Sequence, residues 1–203
     1  MTRSGTSGAT DGLARLLAAG SWTHPPQSVD AADGRVVVTA VEGSDAWCHT
    51  SYGFVHDSEH ALLEPFGNAE ALEVSFVLDF EEQFDQAGVF LRASEHEWIK
   101  AGIEASDGQL QVGAVVTHVQ SDWSVAPVPE WGGRVATVRA SRDGDAVTIR
   151  ARVDDEPWRL VRVAHLDPDH PVEAGIFCAA PTRAGLRVTF TGYRRGPADA
   201  SLH

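Results

Sequence analysis

Beyond residue 35 the chain is a succession of short apolar-rich runs bounded by turn residues, some with the period-two alternation of a half-buried β-strand. Ala146 to Val153 shows it most clearly: Val147, Ile149, Ala151 and Val153 share one face, and Thr148, Arg150 and Arg152 the other. Candidate strands also span Arg35 to Val41, Leu72 to Phe80, Ala87 to Arg92, Glu97 to Glu104 and Leu110 to Val119. Others follow at Val135 to Ala140, Trp158 to Ala164, Val172 to Cys178 and Leu186 to Tyr193. Asp33-Gly34, Ser106-Asp107-Gly108, Arg142-Asp143-Gly144 and Asp167-Pro168 supply the positive-φ or proline-fixed positions that tight reversals need. Only Asp11 to Ala19 reads as a helix, with Asp11 placed as its N-cap. Strands without intervening helices predict an all-β sandwich or barrel, and the lack of a fixed-period repeat argues against a propeller or β-helix.

At 203 residues one domain is expected, and a chain of this size buries roughly 70% of its unfolded surface. The reading divides it into a loose N-terminal tail with a short helix (1–20), a single β-sandwich domain (21–193) and a C-terminal tail (194–203). Sixteen basic against 29 acidic side chains give a net charge of −13, spread along the chain, which argues against nucleic acid and anionic membrane as partners. No apolar run approaches the roughly 18 residues of a membrane span, and the Leu13 to Ala19 patch carries Arg15, so a cytoplasmic location is expected. Cys48 and Cys178 lack disulfide or zinc spacing and read as buried free thiols.

One strand breaks the pattern. In Trp98-Ile99-Lys100-Ala101-Gly102-Ile103-Glu104, the core face takes Ile99, Ala101 and Ile103. The other face carries an indole, the sole lysine of the chain, a glycine and a carboxylate, a row suited to a ligand lying across it. Upstream, Gln86, Gly88, Phe90 and Arg92 share one face, and the short connection from Ala93 to Glu97 predicts a hairpin that pairs Gly88 with Gly102 as a shallow floor. Two further clusters, Asp45 to Gly53 with Trp47 and Tyr52, and Thr117 to Ser124 with Asp122 and Trp123, set aromatic rings beside acids and amides. Sugar-binding surfaces use that combination, because pyranose rings stack on indole while their hydroxyls need polar partners, and so do loops that merely cap a sandwich.

Taken together these segments resemble the domain-of-unknown-function 1349 family, also labelled regulation-of-enolase-like, within the concanavalin A-like lectin and glucanase superfamily. The resemblance rests on Asp45-x-Trp47-x-x-Thr50-x-Tyr52-Gly53, His60, Phe84-Asp85-Gln86-Ala87-Gly88, Trp98 to Glu104, Val116-Thr117 and Ser121-Asp122-Trp123-Ser124. Cys178-Ala-Ala-Pro181 and Phe190 complete it. It covers most of the chain and implies a two-sheet antiparallel jelly-roll sandwich with a concave sheet, and a loose link between one fungal relative and control of enolase. It implies no reaction. Cys48-His49 stands where the family pattern leads one to expect a basic residue before Thr50.

Three functions follow as expectations. The first is a carbohydrate or small-polyol binding module, with Trp47, Tyr52, Gln86, Trp98, Lys100, Glu104, Asp122 and Trp123 contacting the ligand. The alternative is a protein-interaction or regulatory module acting on a metabolic enzyme. The third is a glycoside hydrolase, which needs two carboxyl groups about 5 Å apart if retaining or roughly 6.5 to 9.5 Å apart if inverting. Asp45, Asp85, Glu104 and Asp122 are the carboxylates weighed, with Glu104 and Asp85 as the catalytic candidates, but the Glu-x-Asp-x-x-Glu spacing of glucanases in this superfamily is absent. Lys100 and Glu104, four residues apart on a strand, lie about 13 Å from each other and require other partners. No Gly-x-Ser-x-Gly elbow or glycine-rich phosphate loop occurs, so no cofactor is expected. His56-Asp57-x-Glu59-His60 could gather metal ligands, but no strand or helix spacing fixes them, so the segment reads as a loop with solvated or capping histidines and no metal is assigned.

Overall fold

A computed structural model describes residues 7–202. Helix α1 (Ser7–Ala19) comes first, followed by β1 (Ser21–Trp22), β2 (Ser28–Ala32) and β3 (Arg35–Thr39). A short hairpin, β4 (Ala46–Cys48) and β5 (Val55–Asp57), precedes β6 (His60–Phe66) and β7 (Glu70–Val77). A meander then runs through β8 (Gln86–Ser94), β9 (Glu97–Ser106), β10 (Gln109–His118) and β11 (Gln120–Pro127). The chain finishes with β12 (Val135–Asp143), β13 (Ala146–Val153), β14 (Arg159–His165), β15 (Val172–Ala179) and β16 (Arg187–Pro197).

Two seven-stranded sheets result, ordered β1-β6-β15-β8-β9-β10-β11 and β14-β13-β12-β7-β16-β3-β2, with β4 and β5 as a separate two-stranded ribbon. Every pairing between strands is antiparallel. This is the two-sheet jelly-roll sandwich. The core between the sheets is built from the alternating positions: Val147, Ile149, Ala151 and Val153 of β13 are fully buried there, and Ile99, Ala101 and Ile103 of β9 join the same core from the other sheet. The free thiols Cys48 and Cys178 are both buried, and burial pushes Cys178 up to about 12.

Several elements depart from the sequence expectation, each for a local reason. β6 escapes the period-two rule because His60 to Glu64 are buried on both faces. β11 reverses from β10 through Val119 at φ 66, a β-branched residue in a conformation that normally signals glycine, so no turn motif announces it. The helix begins at Ser7, which leaves Asp11 inside it rather than at its N-cap. Arg194 to Pro197 are no tail: they continue β16 and pair with Glu73 to Glu70 of β7. Beyond them, Asp199 receives Arg139 and Arg150, so the segment is pinned by ion pairs that a Gly- and Pro-rich composition conceals.

Helix α1 buries Leu13 and Leu16 in the main core and lies against β16. Contact is close because residue 12 is glycine: a Cβ there would sit 1.9 Å from the Tyr193 carbonyl oxygen. Gly12→Ala should therefore destabilise the protein by about 1–3 kcal/mol although alanine is the better helix former. A urea titration of the variant beside the wild type measures it; an unchanged midpoint would mean that the helix shifts without cost.

Candidate functional site

The hairpin of β4 and β5 lies over the outer face of the β6-β15-β8-β9-β10-β11 side of the sandwich. It is held there by a second, smaller apolar cluster in which Ala46, Trp47 and Cys48 meet Ala61, Leu63, Phe90, Trp98, Val115 and Phe177. The Ser121 hydroxyl accepts the Cys48 N–H at 2.9 Å and bonds the Thr117 hydroxyl at 2.9 Å. The turn linking β4 to β5 puts His49, Ser51 and Gly53 at positive φ and carries Tyr52 and Phe54 outward. The Trp47 indole N–H closes this turn by donating to the Thr50 carbonyl at 3.0 Å.

Beside the hairpin opens a cleft of about 200 Å³. Register builds its floor: Gln86 of β8 stands opposite Glu104 of β9, while Lys100, Val115 and Trp123 lie in one row across β9, β10 and β11. Asp45, Trp47, Tyr52 and Phe54 wall it from the hairpin side, and Phe84 closes the end. Three rings, Trp47, Tyr52 and Phe54, are in succession, with Tyr52 edge-on to Trp47 at 5.7 Å and stacked on Phe54 at 5.3 Å.

At the bottom sits a buried polar network. Lys100, 5% exposed, donates to Asp45 Oδ1 at 2.7 Å and to Gln86 Oε1 at 2.9 Å. Gln86 Nε2 in turn reaches Asp45 Oδ1 at 3.3 Å and the Phe84 carbonyl at 3.2 Å. The lysine therefore answers the carboxylate of Asp45, across the cleft, rather than Glu104. Glu104 is left with a buried carboxyl oxygen, Oε1, that has no hydrogen-bond partner. Burial raises its pKa to about 7, with Lys100 opposing the shift and Asp45 and Asp107 adding to it. Such a group holds or yields a proton near neutrality.

Of the sequence-predicted site residues, the cleft gathers Trp47, Tyr52, Gln86, Lys100, Glu104 and Trp123. Trp98 does not join them. It is 5% exposed, stacked on Phe90 at 5.4 Å, and borders only a second hollow on the far side of the hairpin. Asp122 neighbours Trp123 on a strand and so points the opposite way, with an exposed side chain paired to Arg162 of the other sheet. Asp85 is fully buried and takes the Arg183 guanidinium on both oxygens, with the Glu81 and Glu82 N–H groups on Oδ2, which makes it a structural anchor rather than a catalytic group. Gly88 and Gly102 do pair, but a Cβ on Gly102 would lie 2.0 Å from the Ala87 carbonyl oxygen, so close strand approach excludes a side chain there with or without a ligand. His60 is spent structurally: it accepts the Val41 N–H on Nε2 and bonds the His24 carbonyl through Nδ1, and burial lowers its pKa. Phe54, Phe84 and Val115 were missed; Phe84, at φ 65, follows a charged run that reads as loop.

A two-sheet sandwich whose outer face carries a half-roofed cleft of aromatic and polar groups has the architecture of the concanavalin A-like lectins and glucanases. Within that class the chain belongs to the family described as Protein of unknown function (DUF1349), which residues 22–198 match. It is 34% identical over 190 residues to a Saccharomyces cerevisiae protein named Regulation of enolase protein 1, covering 92% of this chain and 94% of that protein. The crystal structure of a functionally unknown protein from Saccharomyces cerevisiae matches with TM-score 0.84 and 33% identity over 91% of this chain and 99% of that one. Two distant likenesses show the fold alone. A GH43 protein from Bacillus licheniformis overlays with TM-score 0.67 at 12% identity, covering 88% of this chain and 36% of that one. Lectin I-B4 from Griffonia simplicifolia gives 0.59 at 13% identity, covering 88% and 93%.

Proposed function

We propose that this protein binds a small polyhydroxylated ligand, a carbohydrate or polyol, in the cleft between the β4–β5 hairpin and the sheet beneath it. The observation that carries the reading is Glu104 Oε1, a buried carboxyl oxygen with no partner of its own, aligned with the Lys100–Asp45–Gln86 network on a floor walled by aromatic rings. A ligand hydroxyl both donates and accepts, so it suits a carboxyl that titrates near neutrality, and the apolar face of a sugar ring suits Trp123 and Tyr52. A cytoplasmic setting accords with two buried thiols that remain free.

Thermal shift against neutral mono- and oligosaccharides, polyols and sugar phosphates tests this, because a ligand selective for the native state raises the midpoint. Trp123, 37% exposed, is the substitution to make. Trp123→Ala should weaken the bound ligand about tenfold, the order of 1.4 kcal/mol that stacking contributes, with the melting point of the free protein nearly unchanged. A complete panel without any shift would overturn the reading.

A second reading, a regulatory module docking on a metabolic enzyme, draws on the name of the yeast relative and on exposed Tyr52, Phe54 and Val55 at the hairpin. Titrating purified enolase against this protein tests it, and Phe54→Ser should weaken any complex. Hydrolysis needs a second carboxyl beside Glu104. Asp45 is the other carboxyl lining the cleft, and it is engaged by Lys100 and Gln86.

A further inference from the structure

Away from the cleft, on the opposite flank of the hairpin, three side chains with metal-ligating atoms converge. His24, Asp57 and Glu59 each offer one such atom, and these lie within 4.8 Å of one another. They come from three places: His24 follows β1, Asp57 ends β5, and Glu59 precedes β6. Asp57 is exposed and His24 half-buried, but Glu59 is 2% exposed. Among the described residues no arginine or lysine pairs with Glu59 or Asp57; the Thr23 hydroxyl donates to the Glu59 backbone carbonyl at 2.9 Å, and the charged groups nearest the Glu59 carboxylate are Asp57, which opposes its ionisation, and His24, which favours it. Buried carboxylates are ordinarily paired with a cation or coordinate one.

The His24 ring is anchored through one nitrogen, which leaves the other available as a ligand. His24 Nδ1 lies 3.2 Å from the Glu59 carbonyl, and a carbonyl oxygen only accepts, so this bond places the proton on Nδ1 and leaves the Nε2 lone pair free. Metal-binding histidines are held in this way, by a backbone carbonyl on the other ring nitrogen. The carbonyl of His24 is itself fixed by His60 Nδ1 at 3.0 Å, and Thr23 is locked to β6 through the Ala61 carbonyl at 2.8 Å. Asp57 and Glu59 also border the second hollow, which gives an ion and its water a way in.

We propose that His24, Asp57 and Glu59 form a binding site for a divalent transition-metal cation. A mixed set of one imidazole nitrogen and two carboxylate oxygens suits a borderline cation such as zinc, whose open sites take three protein ligands and leave a fourth position to water, whereas magnesium and calcium prefer oxygen alone. Because Asp57 belongs to the hairpin and Glu59 to the approach to β6, the ion ties the roof of the neighbouring cleft to the sandwich beneath it.

The test is calorimetric titration of zinc chloride into chelator-stripped protein free of any histidine tag. A single-site isotherm and a raised thermal midpoint are expected. Asp57→Asn, an exposed and nearly isosteric change, and His24→Gln should each weaken zinc by about tenfold or more while the circular dichroism spectrum stays that of the wild type. Glu97→Gln serves as the control, since Glu97 sits between His118 at 3.4 Å and His170 at 2.6 Å in a separate histidine cluster. It should leave zinc binding unchanged. No saturable binding to the wild type, equal binding in folded Asp57→Asn, or a loss confined to Glu97→Gln would each overturn the proposal. So would magnesium binding of equal strength that survives His24→Gln. Should His24→Gln fail to fold, Asp57→Asn decides alone.

Discussion

Trp98→Ala is expected to lower stability by about 3–5 kcal/mol, the range of a large aromatic side chain removed from a packed interior. The indole lies on the outer face of its strand, where a sandwich would ordinarily meet water. Here it is 5% exposed, because Trp47 and Cys48 of the hairpin, with Phe90, Val115 and Phe177 of the sheet, enclose it. Stacking on Phe90 at 5.4 Å and 20° adds to the burial. Cavity formation would fall directly under the hairpin, whose attachment rests on this cluster, so the loss should exceed that of a comparable exposed aromatic. Trp123→Ala, at a residue 37% exposed, supplies the contrast and should change stability by about 0.5 kcal/mol or less. Guanidinium denaturation of the two variants measures both. A Trp98→Ala protein within about 0.5 kcal/mol of the wild type would mean that the hairpin collapses into the gap without loss, since surface substitutions fall in that range.

The contrast between these two tryptophans shows how far the sequence could be read. Alternation identified β13 and the core face of β9, because those positions face a uniformly apolar interior. It also separated the two faces of β9 correctly: Lys100 and Glu104 do share a side with Trp98 and open onto the cleft. What alternation cannot express is that one part of an outer face is roofed by a hairpin from 50 residues earlier in the chain while its neighbour is open. That tertiary fact makes Trp98 a core residue and Trp123 a cleft residue. Asp85 misled for a related reason. A lone carboxylate in a polar stretch looks available until the guanidinium of Arg183, 98 positions later, is seen to occupy it. His24 went unmarked because its partners, Asp57 and Glu59, lie more than 30 residues away, and only the pairing of β1 with β6 draws them together.

Glu104 should make the folded state less stable as pH rises from about 4.5 toward 7. Its carboxyl is held protonated by burial up to about 7, whereas in the unfolded chain it ionises near 4.5. Between those values the folded state binds more protons than the unfolded one, so stability falls as pH increases, and the full penalty is present above 7. At about 1.4 kcal/mol per pH unit the gap sets a ceiling of about 3 kcal/mol. Glu104→Gln keeps the shape and removes the titration. The variant should therefore match the wild type near pH 4.5, exceed it above pH 7 by up to about 3 kcal/mol, and show a flatter profile between. Denaturation midpoints at three pH values decide it, and identical profiles for the two proteins would show that Glu104 ionises normally. On the ligand-binding reading proposed above, the same substitution should flatten the pH dependence of ligand affinity across neutrality, because the carboxyl that titrates there borders the cleft.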